Sequence, residues 1–316
     1  MNYVGLQQQI SSNNRKSILL LISFPLLILA AVYGVIYFMN YTPEYGAPDP
    51  SVVFDIFLSS VPIVLIGVSI WFVIAFFFHS KMINGAAHSH TVSRKENMRV
   101  YNLMENLCIS VGMKMPKLRI IESGALNAFA SGINEKNYTV TLTRGIIEKL
   151  NDEELEGVIA HELMHIRNKD VRLLIVTIIF VGIFSFVVQV AFRSVLYGSM
   201  GSNRKKNDGK GMIIILVAAV VAYVISLLFK FALSRKREYM ADSGAAQMTR
   251  NPLALASALE KISSNHHVDK VSSEDMQQLF IENAPEDTSL GVFGGLRGLF
   301  STHPPIQKRI ALLKQF

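Results

Sequence analysis

His161-Glu162-Leu163-Met164-His165 is the stretch whose reading decides what the rest of the chain must build. On a helix each residue turns by about 100°, so His161 and His165 lie about 40° apart on one face and their imidazoles can close on a single ion. Glu162 sits within about 100° of both, near enough to reach a water on that ion without ligating it. H-E-x-x-H is a metalloprotease signature. The ordinary alternative is a pair of helix histidines without a metal, and the surrounding sequence argues against it.

Just upstream, Asn151 can cap a helix, and Glu154 three residues on completes a capping-box pattern. Leu155, Val158 and Ile159 supply the apolar face of that helix, with the histidines in its later turns. Before it come three short strand candidates, Lys117–Glu122, Ala125–Ala130 and Tyr138–Thr143, separated by turn material around Gly132 and Asn134–Asn137. A further amphipathic helix is expected over residues 94–113, ended by Met115-Pro116. A zinc helix preceded by a small sheet is the general zincin arrangement, in which an edge strand can take a substrate peptide by β-addition.

Two histidines do not complete a catalytic zinc site, which has three protein ligands and one open position. The best source of the third is Ser234–Ala246, where Glu238 and Asp242 stand four apart and share a helix face. One of them can ligate the ion while the other accepts a hydrogen bond from the second nitrogen of a ligand histidine. Read alone, the pair equally suits surface ion pairs with Arg235 or Arg237.

The chain has 316 residues, half of them apolar and only 17% charged. The apolar residues gather in four runs, Ser17–Met39, Ser60–Phe78, Leu173–Phe192 and Met212–Leu233, each near the roughly 20 residues that cross a bilayer. The first is too long for a signal-peptide core and is expected to remain as an anchor. Residues 40–55 carry Glu44, Asp49 and Asp55 but no Lys or Arg, which puts that loop outside and the N-terminus and everything after Lys81 inside. The third and fourth runs are joined by a loop holding Arg193, Arg204, Lys205, Lys206 and Lys210, against the positive-inside rule. Their length favours a crossing hairpin over partial insertion. The net charge of +7 fits membrane flanks better than nucleic acid, since no basic stripe is interleaved with aromatics. The lone Cys108 excludes an intrachain disulfide and a cysteine-cluster zinc site.

These residues together resemble the integral-membrane zinc metallopeptidases of the HtpX type, relatives of the CAAX prenyl-protein endopeptidases. The resemblance covers nearly the whole chain: two N-terminal spans, Leu126–Gly132, Asn151–His165, an apolar hairpin, Ser234–Ala246 and Ser301-Thr302-His303-Pro304-Pro305. It implies an α+β, mainly helical membrane protein with a zincin-like (gluzincin) catalytic domain containing a small β-sheet. One Zn2+ per chain would be held by His161, His165 and Glu238, with Glu162 as general base and Asp242 beside a ligand histidine. Asn127, Ala128, Phe129 and Ala130 would line the substrate groove on an edge strand. His303 would either stabilise the oxyanion or merely precede a terminal helix, Ile306–Leu313, in which Arg309 makes a structural ion pair. His79 reads as interfacial, and His88, His90, His266 and His267 as loop residues without a role.

The expected organisation is a two-span region (1–80), a first protease segment (81–172), an apolar hairpin (173–233) and a second protease segment (234–316). Glu162 would take a proton from the attacking water and pass it to the leaving amine. The implied function is peptide-bond hydrolysis at the cytosolic face of the cell inner (plasma) membrane by a multi-pass protein. Its partners would be membrane lipid and protein substrates, in quality control of membrane proteins and often alongside stress responses. Residues 263–296 read as a surface loop or a mobile loop over the site. The rival readings are a CAAX-type endopeptidase, an inactive zinc-binding scaffold, and a transporter accessory protein that would explain none of the motifs.

Overall fold

The computed structural model describes residues 6–41, 46–179, 182–183, 193, 215–225, 235–263, 281 and 304–316. The chain divides into two compact units, one of Met1–Arg15, Phe78–Ile175 and Phe231–Phe316, the other of Lys16–Phe77 and Val176–Lys230.

The second unit takes most of two long helices, α1 (Leu6–Met39) and α2 (Pro50–Ala86). Their apolar windows have mean hydropathies of 2.3 and 2.7, and only 6% of each window is buried. The core helix of a soluble protein would be covered; these present Ile22, Leu26, Ile63 and Phe77 outward. Both helices outrun the expected spans, because an apolar run marks only the hydrocarbon-crossing part. The backbone of α1 continues helical through the polar Gln7–Lys16, and α2 begins at Pro50, whose fixed φ suits a first helical position. Of the other two expected spans, residues 173–179 and 182–183 and the apolar helix Ile215–Ile225 are described.

The first unit is built on a four-stranded sheet: β1 (Ser89–Thr91), β2 (Lys117–Ile121), β3 (Ala128–Ser131) and β4 (Thr139–Thr143), in the order β1-β2-β4-β3. β2 and β4 run parallel, with Leu118 opposite Val140 and Ile120 opposite Leu142. β1 and β3 pair antiparallel on either side of them. The expected strand at Ala125–Ala130 is displaced to Ala128–Ser131. The reason lies in Thr143, whose hydroxyl donates to the Ala125 carbonyl and accepts from the Asn127 amide, tying residues 125–127 into a loop. β1 has no apolar alternation to announce it, and it takes His90 out of the expected loop. His79 is buried, with Ser80 Oγ 3.0 Å and Asn137 Nδ2 3.4 Å from its Nε2.

Helix α3 (Met98–Ser110) is capped by Asn97, and the short α4 (Arg144–Lys149) by Thr143. Helix α5 (Asp152–Arg167) has the expected capping box between Asn151 and Glu154. The Glu154 carboxylate also accepts from Ser257 Oγ and Lys261 Nζ, both at 2.7 Å, which ties α5 to α7 (Pro252–Ile262). Residues 170–175 are also helical, and helix α6 (Arg235–Thr249) and the terminal α8 (Ile306–Leu313) follow. Leu155, Val158, Ile159 and Leu163 of α5 are fully buried at its centre.

Candidate metal centre

Helix α5 carries His161 and His165, and α6 lies across it. A Cβ on Gly244 would collide with the Met164 side chain, so the absence of a side chain there permits the close approach. Ala241 and Ala245 are buried beside it. This small face brings Glu238, in the first turn of α6, to the histidines.

The three side chains converge. His161 Nε2 and His165 Nε2 are 3.1 Å apart, and the Glu238 carboxylate oxygens lie 3.6 Å and 3.4 Å from them. All three donor atoms fall within 4.8 Å of one another. An ion in tetrahedral coordination, with bonds of about 2.0–2.2 Å, needs ligand atoms about 3.3 Å apart. The two imidazole nitrogens, and the carboxylate oxygen nearer each, stand at about that spacing.

The opposite nitrogens each face a carboxylate. His161 Nδ1 lies 2.9 Å from Asp242 Oδ1, and His165 Nδ1 lies 3.1 Å from Asp170 Oδ2. A carboxylate therefore stands within 3.1 Å of each Nδ1, and a ring proton held on that side leaves each Nε2 a lone pair facing the shared point. Two lone pairs and a carboxylate aimed together repel one another unless a cation stands among them. The donor set therefore fits a divalent metal such as zinc.

Charge balance supports the same fit. Burial alone would lower the His161 pKa, yet the Asp242 and Glu238 carboxylates beside it lift it to about 9, so this pocket stabilises positive charge. Burial raises the Glu162 carboxyl above its usual range, against the pull of His161 and His165. A carboxylate poised in this way is a better proton acceptor than a solvated one. Glu162 is 2% exposed and interacts electrostatically with His161, His165 and Glu238, which places it in the same cluster.

Arg309 of α8 joins the cluster. It is fully buried, and its Nε and Nη2 donate to the two Asp242 oxygens at 2.9 and 2.8 Å. Burial would raise the Asp242 carboxyl, but Arg309 and His161 hold it down to about 2. The Arg309 Nη1 lies 3.5 Å from Glu238 Oε2, and Nη2 lies 3.4 Å from His161 Nε2.

The structure thus joins His161, His165, Glu238 and Asp242 as the sequence expected, with Glu162 beside them. Asn127, Ala128, Phe129 and Ala130 are all buried; β3 is an outer strand of the sheet and packs against α5, while Asn127 precedes it. His303 lies outside the described residues, as does nearly all of 263–296. Pro305 stands at the N-cap position of α8, and Arg309 makes an ion pair, as expected of it. Two features escaped the sequence reading. Asp170 was not singled out, although an acid five residues past a ligand histidine is a usable signal. The complete burial of Arg309 had no signal, since arginines are mostly exposed.

Comparison with known proteins gives the family. The model for peptidase family M48 matches residues 94–316. A protease HtpX homolog of Bacteroides fragilis is 54% identical over 323 residues, covering 100% of both chains. One from Thermoanaerobacter pseudethanolicus is 32% identical over 308 residues, covering 96% of this chain and 95% of that one. The crystal structure of Saccharomyces mikatae Ste24p aligns with 81% of this chain and 58% of its own, at 17% identity and a TM-score of 0.49. The chain belongs to peptidase family M48, among the HtpX proteases, and is a membrane metalloprotease.

Proposed function

We propose that the protein is a zinc endopeptidase in which His161, His165 and Glu238 hold the metal and Glu162 is the general base. The observation that carries this is the convergence of three donor atoms within 4.8 Å, with both histidines oriented by carboxylates at 2.9 and 3.1 Å. Zinc bound there supplies Lewis acidity, acidifying the attacking water and polarising the scissile carbonyl. Glu162 accepts the proton of that water and returns it to the leaving amine, and its raised affinity for protons suits both steps. Asp242 and Asp170 fix the imidazole tautomers, and Arg309 fixes Asp242. The substrate backbone pairs with the β3 edge, over Ala128–Ala130 with Asn127 at its start. His303 is a candidate for the oxyanion.

The same reading places the protein in the cell inner (plasma) membrane as a multi-pass protein, with four spans and a protease domain formed by 81–172 and 234–316. The active site faces the cytoplasm, where the loop-charge asymmetry of residues 40–55 puts everything after Lys81. Its substrates are cytosolic segments of misfolded or damaged membrane proteins, and its role is their quality control. The test compares purified wild type with Glu162→Gln in detergent, measuring zinc content and casein cleavage with and without chelator. Wild type should hold about one zinc and cleave, and the chelator should stop it. Glu162→Gln should keep the zinc and lose about 10²–10⁴-fold in kcat. Zinc in both proteins with no cleavage by wild type of casein or an unfolded membrane protein refutes the mechanism.

A further inference from the structure

Ile281 stands on the edge strand to which the proposed function assigns the substrate. Its N–H donates to the Ala128 carbonyl at 2.8 Å, and its own carbonyl accepts from Arg309 Nη1 at 3.1 Å. Its residue is 2% exposed. The Ala128 carbonyl is available for this bond because β3 pairs inward through Asn127, whose carbonyl accepts from Thr143 N at 3.0 Å; by strand alternation Ala128 and Ala130 turn their backbone groups away from β4. The Arg309 Nη1 that holds Ile281 is also the one 3.5 Å from Glu238 Oε2, so this contact lies one guanidinium nitrogen from a metal-binding carboxylate.

We infer that the Ala128 carbonyl and Arg309 Nη1 form a backbone-recognition subsite for one residue of an extended peptide, and that Ile281 is its resident occupant. A strand added to β3 needs an acceptor for its N–H and a donor for its carbonyl, and these two groups supply both to the same residue. The occupant's burial gives the subsite a side-chain preference. A competing substrate residue must tolerate a place where isoleucine is almost completely covered, so aliphatic residues are favoured and ionised ones refused. Substrate therefore competes with the chain itself. This inference rests on reading the metal centre as a peptidase site.

The full-length, zinc-loaded protein in detergent provides the test, with casein as substrate. Ile281→Pro removes the N–H that reaches Ala128, and Ile281→Ala removes most of the side chain while keeping that N–H. Either should lower KM about three- to tenfold, the worth of one hydrogen bond or a partial apolar contact. The kcat should stay within about twofold and the zinc content unchanged. In zinc-loaded Glu162→Gln protein, saturating casein should speed amide exchange in the fragment containing Ile281, because the occupant is pushed off. Casein cleavage sites should share an Ile, Leu or Val at one fixed distance from the cut bond. An unmoved KM in a folded variant, slower exchange at Ile281, or cleavage sites without such a position each overturn the subsite. Where neither variant folds, the exchange measurement decides alone. Failure of zinc-loaded wild type to cleave anything overturns the protease reading instead, a result the exchange experiment does not share.

Discussion

The two compact units bury opposite things. Around α5, the interior holds charge: Glu154, His161, Glu162, Asp170, Glu238, Asp242 and Arg309 are all below one-tenth exposed. Along α1 and α2 the outside is apolar, with Ile63 74% and Phe77 71% exposed, and the cavity that Leu27, Phe38, Val217 and Ile225 help to line is apolar, about 480 Å³. A buried charge is tolerable only with a specific partner, so the first unit depends on exact pairings across the chain. An apolar helix face needs only an apolar surrounding, which a bilayer supplies anywhere along it. Specificity is concentrated in one unit and generic solvation in the other.

The largest expected effect comes from breaking a pairing. Arg309→Met removes the cation that donates twice to Asp242 and leaves that carboxylate buried beside His161. Losing one partner of a buried pair costs about 3–5 kcal/mol. The first unit should unfold at a markedly lower temperature, and zinc affinity should fall about 10–100-fold through the freed His161 ring. Calorimetry and a competitive zinc titration read both effects. A variant with unchanged Tm and affinity would mean that Arg309 fills space and nothing more.

A matched pair of substitutions sharpens the contrast between the units. Leu163→Ala empties a fully buried position of α5 and should cost about 2–5 kcal/mol. Ile63→Ala shortens a similar side chain at a site 74% exposed on α2 and should stay within about 0.5 kcal/mol in detergent. Equal destabilisation by the two would show that α2 is covered by protein and not by lipid.

The same division explains what could be read without coordinates. Apolar periodicity and cap chemistry are local, so the α5 capping box at Asn151 and Glu154, the paired histidines and the terminal helix Ile306–Leu313 were all visible. So was the pairing of Glu238 with Asp242, which needs only helical spacing. Partners chosen across long separations were not visible. Arg309 meets Asp242 over 67 residues and Lys261 meets Glu154 over 107, and no local pattern announces either. β1 escaped because three polar residues carry no alternation, and α4 because a six-residue helix has too little periodicity. Strand β3 began later than expected because a hydroxyl eighteen residues on, that of Thr143, fixes Ala125 in a loop.

A small effect concerns one of those long-range partners, and pH separates it from the cap. Burial would raise the Glu154 carboxyl, but Lys261, Ser257 and the Asn151 amide hold it below the 4.5 of an unfolded chain. A depressed carboxyl contributes stability above its unfolded value and loses that contribution as the pH falls through the folded one. Glu154→Gln keeps a side chain able to complete the capping box but loses the charge facing Lys261. Because Lys261 is itself 38% exposed, solvent screens the pair and its loss should cost only about 0.5–1 kcal/mol at neutral pH. The Tm difference between wild type and Glu154→Gln should be largest above pH 4.5 and shrink on acidification. A difference that persists unchanged to low pH would assign the effect to hydrogen-bond geometry at the cap, leaving the link from α5 to α7 without an electrostatic component.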